Sequence, residues 1–428
     1  MTAKPPGTPD HTQPNAGDPA QIENTTASPE AGQTQSAKSP QVRNGYRSAA
    51  PGPRVTIKDI ARQAGVSKTA VSFAFNLPKR LSVETTQRIL AVARELGYTP
   101  NPIARSLNTR RTNALGLLVP QDISDTLANP FFASLMSGIG QVCKSEGLSL
   151  MMIPPRRGSL VDATYTALID GCIITGLDAD DDAVQALRKR DIPFVMIDTD
   201  APEGVPCVNI DDAQGAWLAM SHLLELGHRD IAIVAFESFF GTPEKYTGTL
   251  KHRFDGIRAA LGERGISLLQ QRIYTTEVPC TAAGGAQALQ RILRLERRPT
   301  AVFALGDAIA YGLIEAAFAH GLSVPGDLSV VGFDDIETHV RAEPGLTTVR
   351  QSAQAKGRAA AELLMAELRG DSVDNTRIIV PIEFIKRGTT APVAAAARKG
   401  PAARQVNDPA RADPGRPAQC AGPRLRAG

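Results

Sequence analysis

Residues 55–76 read Val55-Thr-Ile-Lys-Asp-Ile-Ala-Arg-Gln-Ala-Gly-Val-Ser-Lys-Thr-Ala-Val-Ser-Phe-Ala-Phe-Asn76, a pattern that predicts two short helices joined by a tight turn. Thr56 stands where an N-cap belongs, with Asp59 three residues on as a capping-box-like partner. Ile57, Ile60, Ala61 and Ala64 recur at helical spacing and form one buried face. Gly65 supplies the positive φ of a tight turn, and Val66 plugs the core between the helices. Ser67 caps the second helix, from which Ala70, Val71 and Ala74 face inward. Lys68, Thr69, Ser72, Phe73 and Asn76 are left outward, near the start of a helix able to enter a DNA major groove. Lys68 can donate to guanine or phosphate, and Thr69 and Ser72 to bases or backbone.

A lone helix-turn-helix pattern arises often by chance, so its flanks decide. Ser82-Val-Glu-Thr85 opens a third helix that ends near Leu96-Gly97-Tyr98. Asn101-Pro-Ile-Ala-Arg-Ser-Leu-Asn108 then starts a helix well but is too short to be stable alone. Arg110, Arg111 and Thr112 follow it. Residues 54–112 carry eleven Lys/Arg against three Asp/Glu, a net +8, in a chain whose overall charge is only +3. Residues 113–388 carry 25 against 35, a net −10. A basic module on an acidic body is the footprint of a polyanion-binding domain; a solvated basic face is the plainer alternative.

Outside these blocks the composition changes again. Residues 1–53 hold almost no large apolar side chains and read as a disordered extension, and 389–428 as a disordered basic tail. No run approaches the ~18–20 apolar residues of a membrane helix, and the first residues lack the apolar core of a signal peptide. Cys143, Cys172, Cys207, Cys280 and Cys420 are scattered without zinc-ligand spacing, which suits a reducing cytoplasm.

From Asn113 onward the pattern alternates. Apolar runs at Ala114–Val119, Leu148–Ile153, Gly171–Thr175, Phe194–Asp198, Ile231–Ala235, Ala301–Leu305 and Ser329–Phe333 read as strands of a parallel sheet buried on both faces. Amphipathic stretches at Phe131–Glu146, Asp212–Leu226 and Ala308–His320 lie between them, followed by Gly147, Gly227 and Gly321 as C-terminal caps. Such βα units give a doubly wound α/β architecture, and some 275 residues are too many for one sheet, so two lobes are expected.

Residues 55–388 resemble a lac-repressor-type (LacI/GalR family) transcription regulator. The resemblance rests on Val-Thr-Ile-Lys-Asp-Ile-Ala-x-x-Ala-Gly-Val-Ser, on Asn-Pro-Ile-Ala-Arg-Ser-Leu and on the order of segments behind them. It implies a helix-turn-helix domain over 54–100, a hinge helix and linker over 101–112, and a two-lobed periplasmic-binding-protein-like domain over 113–388 that binds effector and dimerises. It adds Thr56, Ser67, Arg80 and Ser82 to the DNA-facing set that already holds Asn76. It also implies that Leu107 wedges into a central base step of the minor groove while the small Ala104 permits close approach. The family places an arginine where this chain has Phe73, after Val71 and Ser72. The ring either touches a thymine methyl or packs, so operator sequence does not carry over.

Ligands of open α/β sheets bind beyond the carboxyl ends of the strands. Polar residues there include Asp198, Asn209-Ile-Asp-Asp212, Gly306-Asp307 and Gly332-Phe-Asp-Asp-Ile336. Carboxylates around a cleft suit polyhydroxylated ligands. The resemblance places Arg253 in the cleft, makes Asp334 the acceptor of effector hydroxyls, and lets Gln351 reach the ligand; Asn129, Phe132 and Ile210 are further pocket positions. Asp307 either contacts ligand or caps its helix. One of Phe131 and Phe132 is expected in the core; Asp335 reads as a turn or interface residue, Trp217 as packing, and His222 and His228 as structural rather than metal ligands.

No phosphate loop, Gly-x-Ser-x-Gly elbow or His-Glu-x-x-His is present, and the Gly-Ile-Gly at 138–140 falls inside a helix. The expectation is a non-enzymatic, cofactor-free DNA-binding regulator. It would be chiefly a repressor, acting as a homodimer on a palindromic operator and controlled by a small molecule, a sugar or sugar derivative. Effector and operator would be coupled by about 1–3 kcal/mol. The competing class is a solute-binding clamp without DNA function, which has no need of the basic module.

Overall fold

A computed structural model describes residues 55–393, apart from 239–242, 269, 271 and 337–343. The extension expected at 1–53 and residues 394–428 of the tail lie outside the described residues. The chain divides into two compact units, one ending at Thr99 and the other beginning at Pro100.

In the first unit, α1 (Ile57–Ala64), α2 (Lys68–Asn76) and α3 (Val83–Glu95) surround a small core of Ile60, Ala61, Ala64, Val71, Ala74, Ile89 and Ala93. Asp59 accepts from the Thr56 N–H at 3.0 Å and from its hydroxyl at 2.7 Å. Gly65 closes α1 at φ +65°, where a side chain would be strained. Ser67 and Ser82 cap α2 and α3 by accepting from Ala70 and Thr85 N–H groups, caps worth about 1 kcal/mol each. Ile57, Val66 and Ala70 pack half-buried against this core.

The second unit opens with α4 (Pro102–Thr109). Asp170 then grips the chain where it enters the first sheet: one oxygen accepts from the Thr112 N–H and hydroxyl at 2.5 and 2.8 Å, the other from the Asn113 N–H at 2.9 Å. The first lobe contains β1 (Ala114–Leu118), α5 (Ile123–Ala128), α6 (Pro130–Glu146), β2 (Ser149–Ile153), α7 (Leu160–Thr166), β3 (Gly171–Thr175), α8 (Asp182–Lys189), β4 (Phe194–Ile197) and β5 (Cys207–Asn209). The second contains α9 (Asp212–Glu225), β6 (Ile231–Phe236), α10 (Gly248–Gly262), β7 (Ile273–Val278), α11 (Ala282–Leu293), β8 (Ala301–Ala304), α12 (Asp307–Ala319), β9 (Ser329–Asp334) and β10 (Thr347–Gln351). The chain then returns to the first lobe through α13 (Ala353–Arg369) and β11 (Arg377–Ile379) and ends in the second with β12 (Ile382–Ile385).

The strand orders are β11-β5-β4-β3-β1-β2 and β12-β10-β9-β8-β6-β7. All neighbours are parallel except β12, which runs antiparallel to β10. Alternate side chains explain why both faces are covered. In β1, Leu115 and Leu117 meet α6 and α13 residues such as Ile139 and Leu364, while Leu118 joins Ala163 of α7 and Leu187 of α8. In β6, Ile231 and Ile233 meet α9 and α10, while Ala232 and Val234 meet α11 and α12. Glycine decides one packing: a Cβ on Gly138 would fall 2.0 Å from the Gln354 carbonyl, and one on Gly357 2.1 Å from that of Leu135. Gly138, the first glycine of the Gly-Ile-Gly at 138–140, therefore brings α6 and α13 backbone to backbone together with Gly357, while a Cβ on Gly140 would meet nothing within 4 Å.

Three features differ from the expectation. β7, β11 and β12 stand at sheet edges, where half-exposure permits polar residues, so no continuous apolar run marked them. Thr347–Gln351, which is not among the expected strands, is also a strand. The body runs past residue 388: Thr389 is fully buried, its hydroxyl donating to the Val330 carbonyl, and the Val393 N–H donates to Leu226. His222 and His228 hold this segment through Thr390 and Ala391, a structural use in keeping with their burial.

Candidate DNA-contacting face and effector cleft

The outer surface of α2 collects the expected residues. Thr69, Ser72, Phe73 and Asn76 recur at i, i+3, i+4 and i+7, so they share one face. Asn76 donates to the Ser72 hydroxyl at 3.4 Å. Thr56, Ser67, Lys68, Thr69, Arg80 and Ser82 are exposed, and Ser72, Phe73 and Asn76 are half-buried. Ser67 and Ser82 also cap, so each has one oxygen serving its helix. On α4, Leu107 is an apolar side chain that is 76% exposed. Ala104 lies on the same helix, with its side chain outside the described residues.

The cleft is built where the carboxyl ends of both sheets meet. Arg253, on α10 and 4% exposed, donates to Asp212 at 2.8 Å and to the Leu305 carbonyl at 2.8 Å. Its guanidinium stacks on the Phe333 ring, 3.6 Å from the centroid, and stands 4.0 Å from Asp334. Burial works against its charge, but Asp212 and Asp334 outweigh that and hold its pKa raised. Asp334 ends β9 at φ +126°, a conformation rarely adopted by a side-chain-bearing residue. Gln351, at the end of β10, donates to Asp334 Oδ1 at 2.6 Å, while Gln351 Oε1 is buried without a partner among the described residues.

Asp307 sits behind this pair. It is fully buried, accepting from the Thr348 hydroxyl at 2.6 Å and from the Ile336 N–H at 3.0 Å. Both of its oxygens are thus engaged by the protein. Burial pushes its pKa up to about 8, with the Asp334 charge adding to the effect. Burial likewise raises Asp334 to about 6, moderated by Arg253.

From the first lobe, Lys356 of α13 reaches the cleft fully buried. It pairs with Asp198, the residue after β4, and lies 5.7 Å from the Phe131 ring centroid. Asn129 caps α6 by accepting from the Phe131 N–H, and its side-chain amide meets the Cys280 sulfur of the second lobe at 3.7 Å. Phe131 and Phe132 stack edge to face, both partly buried against the core. Ile210 is buried within that core. Across the cleft, Thr247 donates to Asp178 at 2.9 Å, Thr249 donates to the Asp198 carbonyl at 3.2 Å, and His252 pairs with Asp200 at 2.6 Å.

This architecture has close relatives. Residues 56–101 match the family described as bacterial regulatory proteins, lacI family, and residues 220–390 match a periplasmic binding protein-like domain. The HTH-type transcriptional repressor PurR of Photobacterium profundum is 32% identical over 322 residues, covering 73% of this chain and 92% of the relative. The chain is a LacI-family regulator. Among solved structures, the lac repressor dimer bound to operator and the anti-inducer ONPF is 26% identical with a TM-score of 0.64, covering 79% of this chain and 99% of that one. A LacI-family regulator from Enterococcus faecium with bound ribose is 31% identical with a TM-score of 0.56, covering 66% and 100%.

This LacI-family regulator is therefore a DNA-binding transcriptional regulator with an effector-binding domain, in a family of non-enzymatic proteins. Among the described residues, no helix is long and apolar enough to cross a membrane and no cluster of metal-ligating side chains occurs. Sequence reasoning missed Lys356. Its signal was available: Ala353, Lys356, Gly357, Ala360, Ala361 and Leu364 follow helical spacing, so a lysine stands on a buried stripe. Asp335, read as a turn or interface residue, is ion-paired to Arg350 and Arg387, each at 2.7 Å. Trp217 packs against the core and donates to Glu263.

Proposed function

We propose that this LacI-family regulator is a cytoplasmic repressor that binds a palindromic operator as a homodimer and responds to a sugar or sugar derivative held between its lobes. The observation that carries the effector reading is the buried Gln351 Oε1, which has no partner among the described residues and lies beside the Asp334 carboxylate. Two acceptors at one place call for a ligand that brings donors, and neighbouring hydroxyl groups do so without adding charge to a cleft already rich in carboxylates. Ribose in the Enterococcus faecium relative supports the class. Asp334 and Gln351 bind hydroxyls, with Asn129 and Phe132 on the facing lobe. Arg253, tied to Asp212 and Leu305, orients Asp334; Asp307 and Ile210 act from behind.

On DNA, Thr56, Ser67, Lys68, Thr69, Ser72, Asn76, Arg80 and Ser82 contact the major groove and its phosphates, and Ala104 and Leu107 enter the minor groove. The lac repressor dimer bound to operator supports the dimer and the operator reading. The test pairs selection from random duplex DNA near physiological salt with thermal unfolding against a panel of neutral sugars and of nucleosides. A palindromic consensus together with stabilisation by a sugar is expected. Stabilisation by nucleosides and by no sugar overturns the effector class, and a non-palindromic consensus overturns the dimer.

A further inference from the structure

Two phenylalanines of α2 have different surroundings. Phe75 turns inward, packs on the helix-turn-helix core and meets Tyr98 at a centroid distance of 5.6 Å. Phe73, two residues earlier and so on the opposite, outer face, is not among the residues packed on that core. Its ring is covered instead by Arg80, whose guanidinium carbon lies 5.5 Å from the ring centroid. Arg80 belongs to the short 3-10 turn Pro78–Arg80 that follows α2, and it is exposed. Among the described residues its side chain makes no hydrogen bond or ion pair.

We propose that Phe73 is a positioning residue for Arg80, and that the stacked Arg80 guanidinium reads a guanine of each operator half-site in the major groove. The ring has no donor or acceptor, so it cannot distinguish base edges by hydrogen bonding. It offers Arg80 a face to lie on. A stacked guanidinium keeps its in-plane N–H groups free, in the fork that matches guanine O6 and N7. Stacking also limits a long side chain to few rotamers, so less freedom is lost on docking. Ser72 and Asn76, hydrogen-bonded to each other on the same face, leave that space to the Phe73–Arg80 pair. The recognition helix thereby regains through its neighbouring turn a cation that α2 lacks at position 73.

The test is selection from random duplex DNA with the full chain, comparing wild type with Arg80→Ala, Phe73→Ala, Phe73→Tyr and the Arg80→Ala/Phe73→Ala double variant. Thermal unfolding of each variant confirms that the fold is kept. Arg80→Ala should lose preference for one guanine per half-site, with about 10- to 100-fold less discrimination there and little change elsewhere. Phe73→Ala should relax the same position, the double variant should add nothing to Arg80→Ala, and Phe73→Tyr, which keeps a ring, should retain the wild-type preference. If Arg80→Ala weakens all sequences alike and lowers the salt slope by about one per half-site, Arg80 is a phosphate contact and the assignment fails. It fails equally if Phe73→Ala alters a thymine preference while the Arg80-dependent guanine persists, because the ring then reads a base itself.

Discussion

Gln351 and Asp334 are joined across neighbouring strands: the amide of one donates to the carboxylate of the other at 2.6 Å, and among the described residues the remaining amide oxygen is buried with no donor to accept from. A buried unsatisfied acceptor costs about 1–3 kcal/mol. Gln351→Leu removes that acceptor together with the tether on Asp334. The expected result is a roughly tenfold or greater fall in affinity for whichever sugar stabilises the wild type, measured by calorimetric titration. Unchanged affinity would remove Gln351 from the ligand's surroundings.

Lys356 is fully buried and pairs with Asp198, whose side chain is only 15% exposed. Lys356→Met leaves Asp198 without its cation, close to Asp212 and Asp334. Urea unfolding should show a loss of about 3–5 kcal/mol, and Lys356→Met/Asp198→Asn should recover most of it. A loss below about 1 kcal/mol would mean that water reaches the pair in solution.

Stability should depend on pH through Asp307. Burial holds its folded pKa at about 8 and that of Asp334 at about 6, both above the ~3.9 of an unfolded aspartate. The folded chain therefore binds protons that the unfolded chain has released, and unfolding free energy falls as pH rises from about 4 to about 8. His222 and His228 have pKa values lowered by burial. Their contribution is present above the unfolded value of ~6.5 and is lost as pH falls, so they act on the acid side. Asp307→Asn should flatten the decline between about pH 6 and 8, where Asp334 no longer contributes, in equilibrium unfolding. A decline of undiminished slope would assign it to another group.

Leu107 is 76% exposed on α4, consistent with an apolar wedge. Leu107→Ala should weaken operator binding by about tenfold or more while changing affinity for random DNA by about twofold or less, read from competition titrations. Equal losses on both would show that the side chain does not enter a base step.

The helix-turn-helix was legible residue by residue, because Thr56–Asp59, Gly65, Ser67 and the inward Ile60, Ala61, Val71 and Ala74 obey local rules of capping and spacing. The central strands β1, β3, β4, β6, β8 and β9 were legible for a different reason: burial on both faces leaves a nearly unbroken apolar run. Edge strands such as β7 and β11 carry no such signature. Asp334 and Gln351 came from resemblance, since a carboxylate after a strand does not announce what it holds. Lys356 escaped because periodicity was used to find apolar faces, and a charge interrupting one was not asked where its partner sat. Asp307 stood between cap and ligand contact, a choice that only the positions of Thr348 and Ile336 inform.

Asp170 grips Thr112 and Asn113, and α4 ends at Thr109. Three chain steps span at most about 11 Å, so the connection between the sheet's first strand and the short helix behaves as a linkage with almost no backlash. A shift of the first lobe is therefore handed to the last turn of α4 through only three residues, with no intervening segment to absorb it.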